Sequence, residues 1–206
     1  MNKKPLVIGL TGGMGSGKST VAAFFEKKFG IPVYYADNRA KEIMHEPEIS
    51  ERIKQKFGAE SFINGKLNRK LLAGRVFGNS KKLKELEDIV HPEVRKDFMQ
   101  WVQRQSAPYV LLENAVLFKT GMDKMCDYVV GVTANLSTRM ERIARRDGLS
   151  AVEIRKRLAH QPANEEFVKK SHFILKNDTS KTDLFEEVKK LHEKFVNLSK
   201  QSDFIS

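Results

Sequence analysis

A run of glycines between an apolar hexapeptide and an amphipathic stretch limits this chain more than any other feature. Leu6-Val7-Ile8-Gly9-Leu10-Thr11 is long enough for a buried strand and too short for a core helix. Gly12-Gly13-Met14-Gly15-Ser16-Gly17-Lys18-Ser19 follows and fills every fixed position of G-x-x-x-x-G-K-[ST]. Val21, Ala22, Phe24, Phe25 and Phe29 then recur at helical spacing, and Gly30 is placed to stop the helix. Strand, glycine loop and helix therefore occur in the order that a phosphate-binding loop requires. Backbone N–H groups must touch a phosphate chain directly, and a Cβ at 12, 13, 15 or 17 would hold it off. A helix starting near Lys18 points its partial positive charge at the phosphates. Lys18 supplies a cation for the β and γ phosphates and the Ser19 hydroxyl a ligand for Mg²⁺. Ser16 and Thr20 complete the expected ATP-binding stretch. The competing reading is a glycine-rich turn that merely joins strand to helix.

The rest of the chain reads as strands alternating with helices. Ile31 to Asp37 is a second strand ending in a carboxylate, where open α/β sheets bind their ligands. Asn38 to Met44 begins a helix. From Pro47 to Ser106 the pattern is helical: Ile49, Ile53 and Phe57 share a face, Asn64-Gly65 makes a turn, and Asn68 caps a helix holding Leu71, Leu72, Val76 and Phe77. Ser80 caps another that His91-Pro92 should break, with Pro92 opening the next. So much helix exceeds what one crossover needs and predicts an inserted substrate-binding subdomain.

Tyr109-Val110-Leu111-Leu112-Glu113 is a third strand whose final acid is placed to reach Mg²⁺ or its water shell. Tyr128 to Thr133 is a fourth. Arg139, Arg142, Arg145 and Arg146 lie on the helix that follows, Ser137 to Arg146; Arg142 and Arg146 share a face. Ser150 and Glu153 form a capping box for a helix reaching Gln161-Pro162. This hairpin is either a lid over phosphates or a solvated basic helix, and Arg139 and Arg145 fit the second description. His172 to Leu175 is a fifth strand, and a last helix carries Leu184, Val188, Leu191, Phe195 and Leu198.

The expected fold is α/β: a three-layer sandwich of the P-loop NTPase type, with a mostly parallel five-stranded sheet. Its core is 1–37, 109–136 and 163–206; the helical insertion is 38–108 and the lid 137–162. Lys plus Arg is 37 against 26 Asp plus Glu, a net charge of +11. That favours anionic partners, but the cations form no long basic run, and a substrate with several phosphates accounts for them as well as RNA does. The single cysteine, Cys126, excludes an intramolecular disulfide and fits a reducing cytoplasm; it reads as an apolar filler. Lys3 and Lys4 precede too short an apolar run for a secretory leader, and no stretch reaches transmembrane length. Neither N-K-x-D nor D-x-x-G occurs where a GTPase would carry it, so a small-molecule kinase is favoured over a nucleotide-binding switch or adaptor module.

An ordered set of motifs resembles the dephospho-CoA kinase family. Gly9 to Ser19 matches its G-L-T-G-G-I-G-S-G-K-S with Met14 for Ile. Phe57-Gly58, Gly65-Lys66-Leu67-Asn68-Arg69, Val76-Phe77 and His91-Pro92 match its F-G, G-x-L-x-R, V-F and H-P. Arg142, Arg146-Asp147, Gln161 and Asn177 fall where the family has R, R-D, Q and N. Tyr35, Ala115 and Lys119 stand where it usually has Asp, Pro and Glu. The resemblance implies ATP-dependent phosphorylation of the ribose 3′-hydroxyl of dephospho-coenzyme A; another small-molecule or nucleoside monophosphate kinase is the alternative. It implies Asp37 as the base that orients the hydroxyl, with Lys18, Arg142 and Arg146 on the transferring phosphate. Ser19 and Glu113 would hold Mg²⁺, Asn177 would line the adenine pocket, and Arg69 and His91 would contact the acceptor. No nucleic acid or membrane partner is expected; a monomer is, with a small homo-oligomer left open.

Overall fold

A computed structural model describes residues 4–159 and 164–201. Gln161 and the predicted helix end at Gln161-Pro162 lie outside the described residues. The chain forms two compact units, one of Met1–Tyr34 with Arg104–Ser206 and one of Tyr35–Gln103.

The first unit opens with β1 (Leu6–Gly12), α1 (Lys18–Phe29) and β2 (Val33–Tyr35). Gly30 ends α1 in the left-handed region at φ 66° and returns its N–H to Glu26 and Phe25. The predicted second strand is shorter than expected, because helical hydrogen bonding begins at Ala36. Asp37 therefore lies in the first turn of α2 (Ala36–Ile43) and not at a strand end.

The second unit continues with α3 (Pro47–Phe57), a hairpin of β3 (Phe62–Ile63) and β4 (Lys66–Leu67), α4 (Arg69–Val76) and α5 (Ser80–Gln103). Ile49, Ile53 and Phe57 are buried along α3, as their spacing predicts. The Asn68 side chain accepts from the Leu71 N–H at 3.2 Å, the predicted cap. Two expectations fail at α5. Asn79, not Ser80, caps it, accepting from Lys82 N–H at 3.0 Å. The helix also runs through Pro92 without a break. Proline removes one interior hydrogen bond, but Val90, Val94, Phe98 and Val102 are buried on either side of it, and that packing outweighs the lost bond.

The first unit resumes with β5 (Tyr109–Glu113), β6 (Tyr128–Thr133), α6 (Leu136–Asp147), α7 (Ala151–Ala159), α8 (Asn164–Lys170), β7 (Phe173–Lys176) and α9 (Lys181–Gln201). The sheet order is β2-β5-β1-β6-β7, with β1 parallel to β5 and β6 and β6 parallel to β7. Every residue of β5 is buried, as for a parallel strand covered on both faces. Register identifies the two coverings. Leu6 pairs Tyr109, Ile8 pairs Tyr128 and Val130 pairs Phe173. Tyr109, Tyr128 and Phe173 meet Phe25 of α1 or Phe195 of α9. On the alternate face, a Cβ at Gly9 would strike Leu117 and Cys126, and one at Gly131 would strike Ser171 and Phe167. Helix, sheet and helix thus form the three layers expected. The Cys126 thiol gives its hydrogen to the Met122 carbonyl at 3.4 Å. Burial, with lesser contributions from Asp123 and Asp127, pushes its pKa up to about 12, which suits a filler and not a nucleophile.

Candidate active site

β1, the middle strand of the sheet, runs directly into the glycine loop, and α1 begins at Lys18. The loop is gripped from behind. Arg139 of α6 donates from Nε to the Met14 carbonyl at 2.8 Å. Asn177, just after β7, donates from Nδ2 to the Ser16 carbonyl at 2.8 Å. Arg142 Nη1 lies 3.5 Å from the carbonyls of both Gly15 and Ser16, and its Nη2 donates to Asn177 Oδ1 at 3.3 Å. In a trans peptide the carbonyl of one residue and the N–H of the next point in opposite directions. Holding the Met14 and Ser16 carbonyls rearward therefore turns the N–H groups of Gly15 and Gly17 forward.

Two of the loop glycines are required by their protein neighbours. Gly15 and Gly17 have φ of 77° and 92°. A Cβ at Gly15 would come 2.7 Å from the Arg139 backbone oxygen, and one at Gly17 would overlap Asn177 Nδ2. The Ser16 hydroxyl, in a residue only 1 % exposed, is buried with no hydrogen-bond partner among the described residues.

Lys18 and Glu113 form an ion pair with each other, both largely buried. Ser19, in the first turn of α1, is exposed. Glu113 and Ser19 offer two hard oxygen donors beside the loop. That set fits Mg²⁺, which binds through one or two protein oxygens and otherwise keeps water and phosphate. Among the described residues no cluster of three His, Cys, Asp or Glu forms a closed metal site. After β5, Asn114 is buried and organises the turn, accepting from Val116 N–H at 2.8 Å and donating to Thr120 Oγ1 at 3.2 Å. Ala115 and Lys119, which depart from the family pattern, are exposed on this turn.

Arg146 does not join Arg142 at the loop. It is exposed and grips its neighbour Asp147 at 2.7 and 2.9 Å, which holds the Asp147 carboxyl below its usual range. Arg139, expected to be solvated, is instead 8 % exposed, and burial lowers its pKa. Its helical position gave one usable signal: it precedes Ile143 by one turn, and Ile143 is fully buried.

Within the second unit, Glu42, His45, Lys66, Leu67 and Arg69 line an open cleft of about 590 Å³. Arg69 occupies the first position of α4. Lys66 lies inside the G-x-L-x-R stretch of the sequence, whereas His45 carries no sequence signal. His45 Nδ1 lies 2.7 Å from the Lys41 carbonyl, which fixes that nitrogen as the donor. Arg39 anchors α2 to α5 beside this cleft through paired bonds to Asp97 at 2.9 and 2.8 Å. Asp97, and secondarily Glu42, raise its pKa. Asp37 is exposed on α2. His91 is half-buried in α5 and is not among the residues lining the cleft.

A parallel sheet whose middle strand delivers a glycine loop, a lysine and a helix N-terminus, with an arginine helix against that loop, is a phosphate-loop kinase fold. Residues 6–183 match the family model for dephospho-CoA kinase, and the chain belongs to that family. It is 34% identical over 189 residues to a dephospho-CoA kinase of Fusobacterium nucleatum, covering 91% of this chain and 97% of that one. It is 40% identical over 182 residues to one from Thermus thermophilus, covering 88% of each. A crystal structure of a Thermus thermophilus protein superposes with a TM-score of 0.83 at 38% identity, covering 93% of this chain and 98% of the other.

Proposed function

We propose that this chain transfers the γ-phosphoryl group of ATP to the ribose 3′-hydroxyl of dephospho-coenzyme A, giving coenzyme A and ADP. The observation that carries the reading is the braced loop. With Met14 and Ser16 carbonyls held rearward, the forward N–H groups and the α1 N-terminus form a preorganised cradle for a phosphate chain.

The roles follow from chemistry. Lys18 moves from Glu113 to the β and γ phosphates, which offer more negative charge than one carboxylate. Ser19 and Glu113 would hold Mg²⁺, which neutralises phosphate charge when bound. Arg142, held to the loop carbonyls only at 3.5 Å, turns from them to the phosphates and stabilises charge developing on the γ-phosphoryl oxygens. Asp37 accepts a hydrogen bond from the 3′-hydroxyl, orients it in line and takes its proton. In a loose transition state, positioning matters more than base strength, so an exposed carboxylate suffices. Arg69, with Lys66 beside it, offers charge-assisted bonds to an acceptor phosphate. His91 remains a candidate acceptor residue, and Arg146, paired with Asp147, a secondary lid residue that contributes far less than Arg142. The setting is a reducing cytoplasm, where the single thiol stays unpaired.

The test is a direct assay with purified protein, MgATP and dephospho-coenzyme A, with the product analysed for a 3′-phosphate. Stoichiometric formation of coenzyme A and ADP is expected. Transfer to a nucleoside monophosphate instead, or nucleotide binding with no transfer, would overturn the assignment.

A further inference from the structure

We infer that Arg139 is a positioning residue of the phosphate site, acting through its Nε–H on the Met14 carbonyl and not through its charge. This rests on reading residues 12–19 as the ATP phosphate site.

Three observations converge on it. The Nε–Met14 oxygen distance of 2.8 Å is that of a well-formed hydrogen bond, whereas the Arg142 contacts to the same loop are 3.5 Å, at the outer limit. The firm grip on the front half of the loop therefore comes from Arg139, and Asn177 provides its counterpart at Ser16. Second, the loop lies directly on the α6 backbone at this residue: a Cβ on Gly15 would approach the Arg139 carbonyl oxygen to 2.7 Å and its Cα to 3.0 Å. The Gly15 backbone thus packs against α6 at the same residue that holds the Met14 carbonyl, and α6 orients the Met14 peptide plane. Third, Arg139 is 8 % exposed, so its side chain is not a surface cation that happens to reach the loop.

The consequence concerns Gly15. The Met14–Gly15 peptide has its carbonyl pinned rearward by Arg139, and so its N–H faces forward. Without that pin the plane is free to rotate and the donor loses its aim at the phosphates. Because α6 also carries Arg142 one turn on, the same bond fixes the height of Arg142 along the loop.

Bond count makes a discriminating test available. Glutamine carries its amide nitrogen the same number of bonds from Cα as arginine Nε, with an N–H but no charge. Lysine keeps the charge but places carbon there, and methionine keeps bulk without either. Affinities for MgATP and for adenosine are measured by calorimetry on Arg139→Met, Arg139→Lys and Arg139→Gln, with Tm recorded for each. Arg139→Met and Arg139→Lys are expected to weaken MgATP about tenfold, the scale of one buried hydrogen bond lost. Arg139→Gln should recover to within about threefold of the parent. Adenosine affinity should stay unchanged in all three. If Arg139→Met does not fold, the Gln and Lys variants decide between them. Lysine outperforming glutamine would overturn the inference in favour of charge. Unchanged MgATP affinity in the Met or Lys variant, or equal losses for ATP and adenosine, would overturn it as well. A parent that binds adenosine as tightly as ATP would overturn the phosphate-site reading itself, and the inference with it.

Discussion

Gly17→Ala tests the loop geometry most directly, because two separate costs meet at one atom. Gly17 has φ 92° and ψ 16°, and an L-residue in the left-handed region costs roughly 1–2 kcal/mol. The new methyl would also overlap Asn177 Nδ2. Asn177 is 4 % exposed and has little space to retreat, so it must give up its 2.8 Å bond to the Ser16 carbonyl. A buried carbonyl left without its donor costs about 1–3 kcal/mol. The single variant should therefore weaken the ATP-competent loop by about 2–5 kcal/mol, the two costs added. Asn177→Ala forfeits the same Ser16 bond, about 1–3 kcal/mol, without backbone strain.

The double variant is the informative one. With the Asn177 side chain gone, the methyl introduced at position 17 has space, and the lost bond is counted once instead of twice. The two effects should fall short of additivity by about 1–3 kcal/mol, about 5-fold to 150-fold in MgATP affinity. The assay is a double-mutant cycle of MgATP dissociation constants, with Tm checked for every variant. Additivity to within about 0.3–0.5 kcal/mol, the ordinary scatter for independent sites, would refute the claim that Asn177 and Gly17 share this space.

Asp37→Asn should lower kcat by about 10²-fold or more while MgATP affinity is kept, since general-base help is of that order; near-parental turnover removes Asp37 from the reaction. Replacing Arg142 with Met should cost kcat about 10²-fold, as for loss of a charge-stabilising donor, whereas Arg146→Met, which breaks only the exposed pair to Asp147, should cost far less. Equal losses at both positions would contradict the placement of Arg142 alone at the loop. Arg69→Ala should raise KM for the acceptor and leave KM for ATP unchanged; a shift in both would remove the cleft from acceptor binding. The Cys126 thiol is raised from 9.0 to about 12. The unfolded chain thus ionises first, and stability is lost as pH rises from about 9 towards 12. Cys126→Ala should flatten that limb of a stability–pH curve, and an unchanged alkaline limb would show that other groups govern it.

What could be read in the sequence was whatever leaves a one-dimensional trace. β1, β5 and β6 are continuous apolar runs because both faces of a parallel sheet are covered, and the glycine loop is a fixed spacing. The Asn68 cap and the Ser150–Glu153 box, whose reciprocal bonds are 3.3 and 2.9 Å, are equally local. The sequence suggests a break in α5 because proline's cost is local while the burial that offsets it is not. β3 and β4 leave no such trace because strands of two residues have no period. α8 has seven residues, too few for its periodicity to separate it from a loop.

The faces of α6 bear most on function. Charge pattern paired Arg142 with Arg146 as one face, and a solvated face was the expected place for Arg139. In three dimensions the divide runs elsewhere: Arg139 shares the face of buried Ile143, and the Gly15 backbone lies against both. A glycine there lets the α6 backbone approach from behind while its own N–H stays turned forward. The loop motif therefore specifies more than a ligand. Because Gly15 and Gly17 must each accept a neighbour from the rear, any chain that keeps this spacing with this geometry also needs residues able to take the Met14 and Ser16 carbonyls. In this chain those are Arg139, which no motif marks, and Asn177, which entered by resemblance in a different role. The cradle is thus a property of the loop, α6 and the turn after β7 together, and a variant in either brace should read out as a phosphate-binding defect even though neither side chain needs to touch a phosphate.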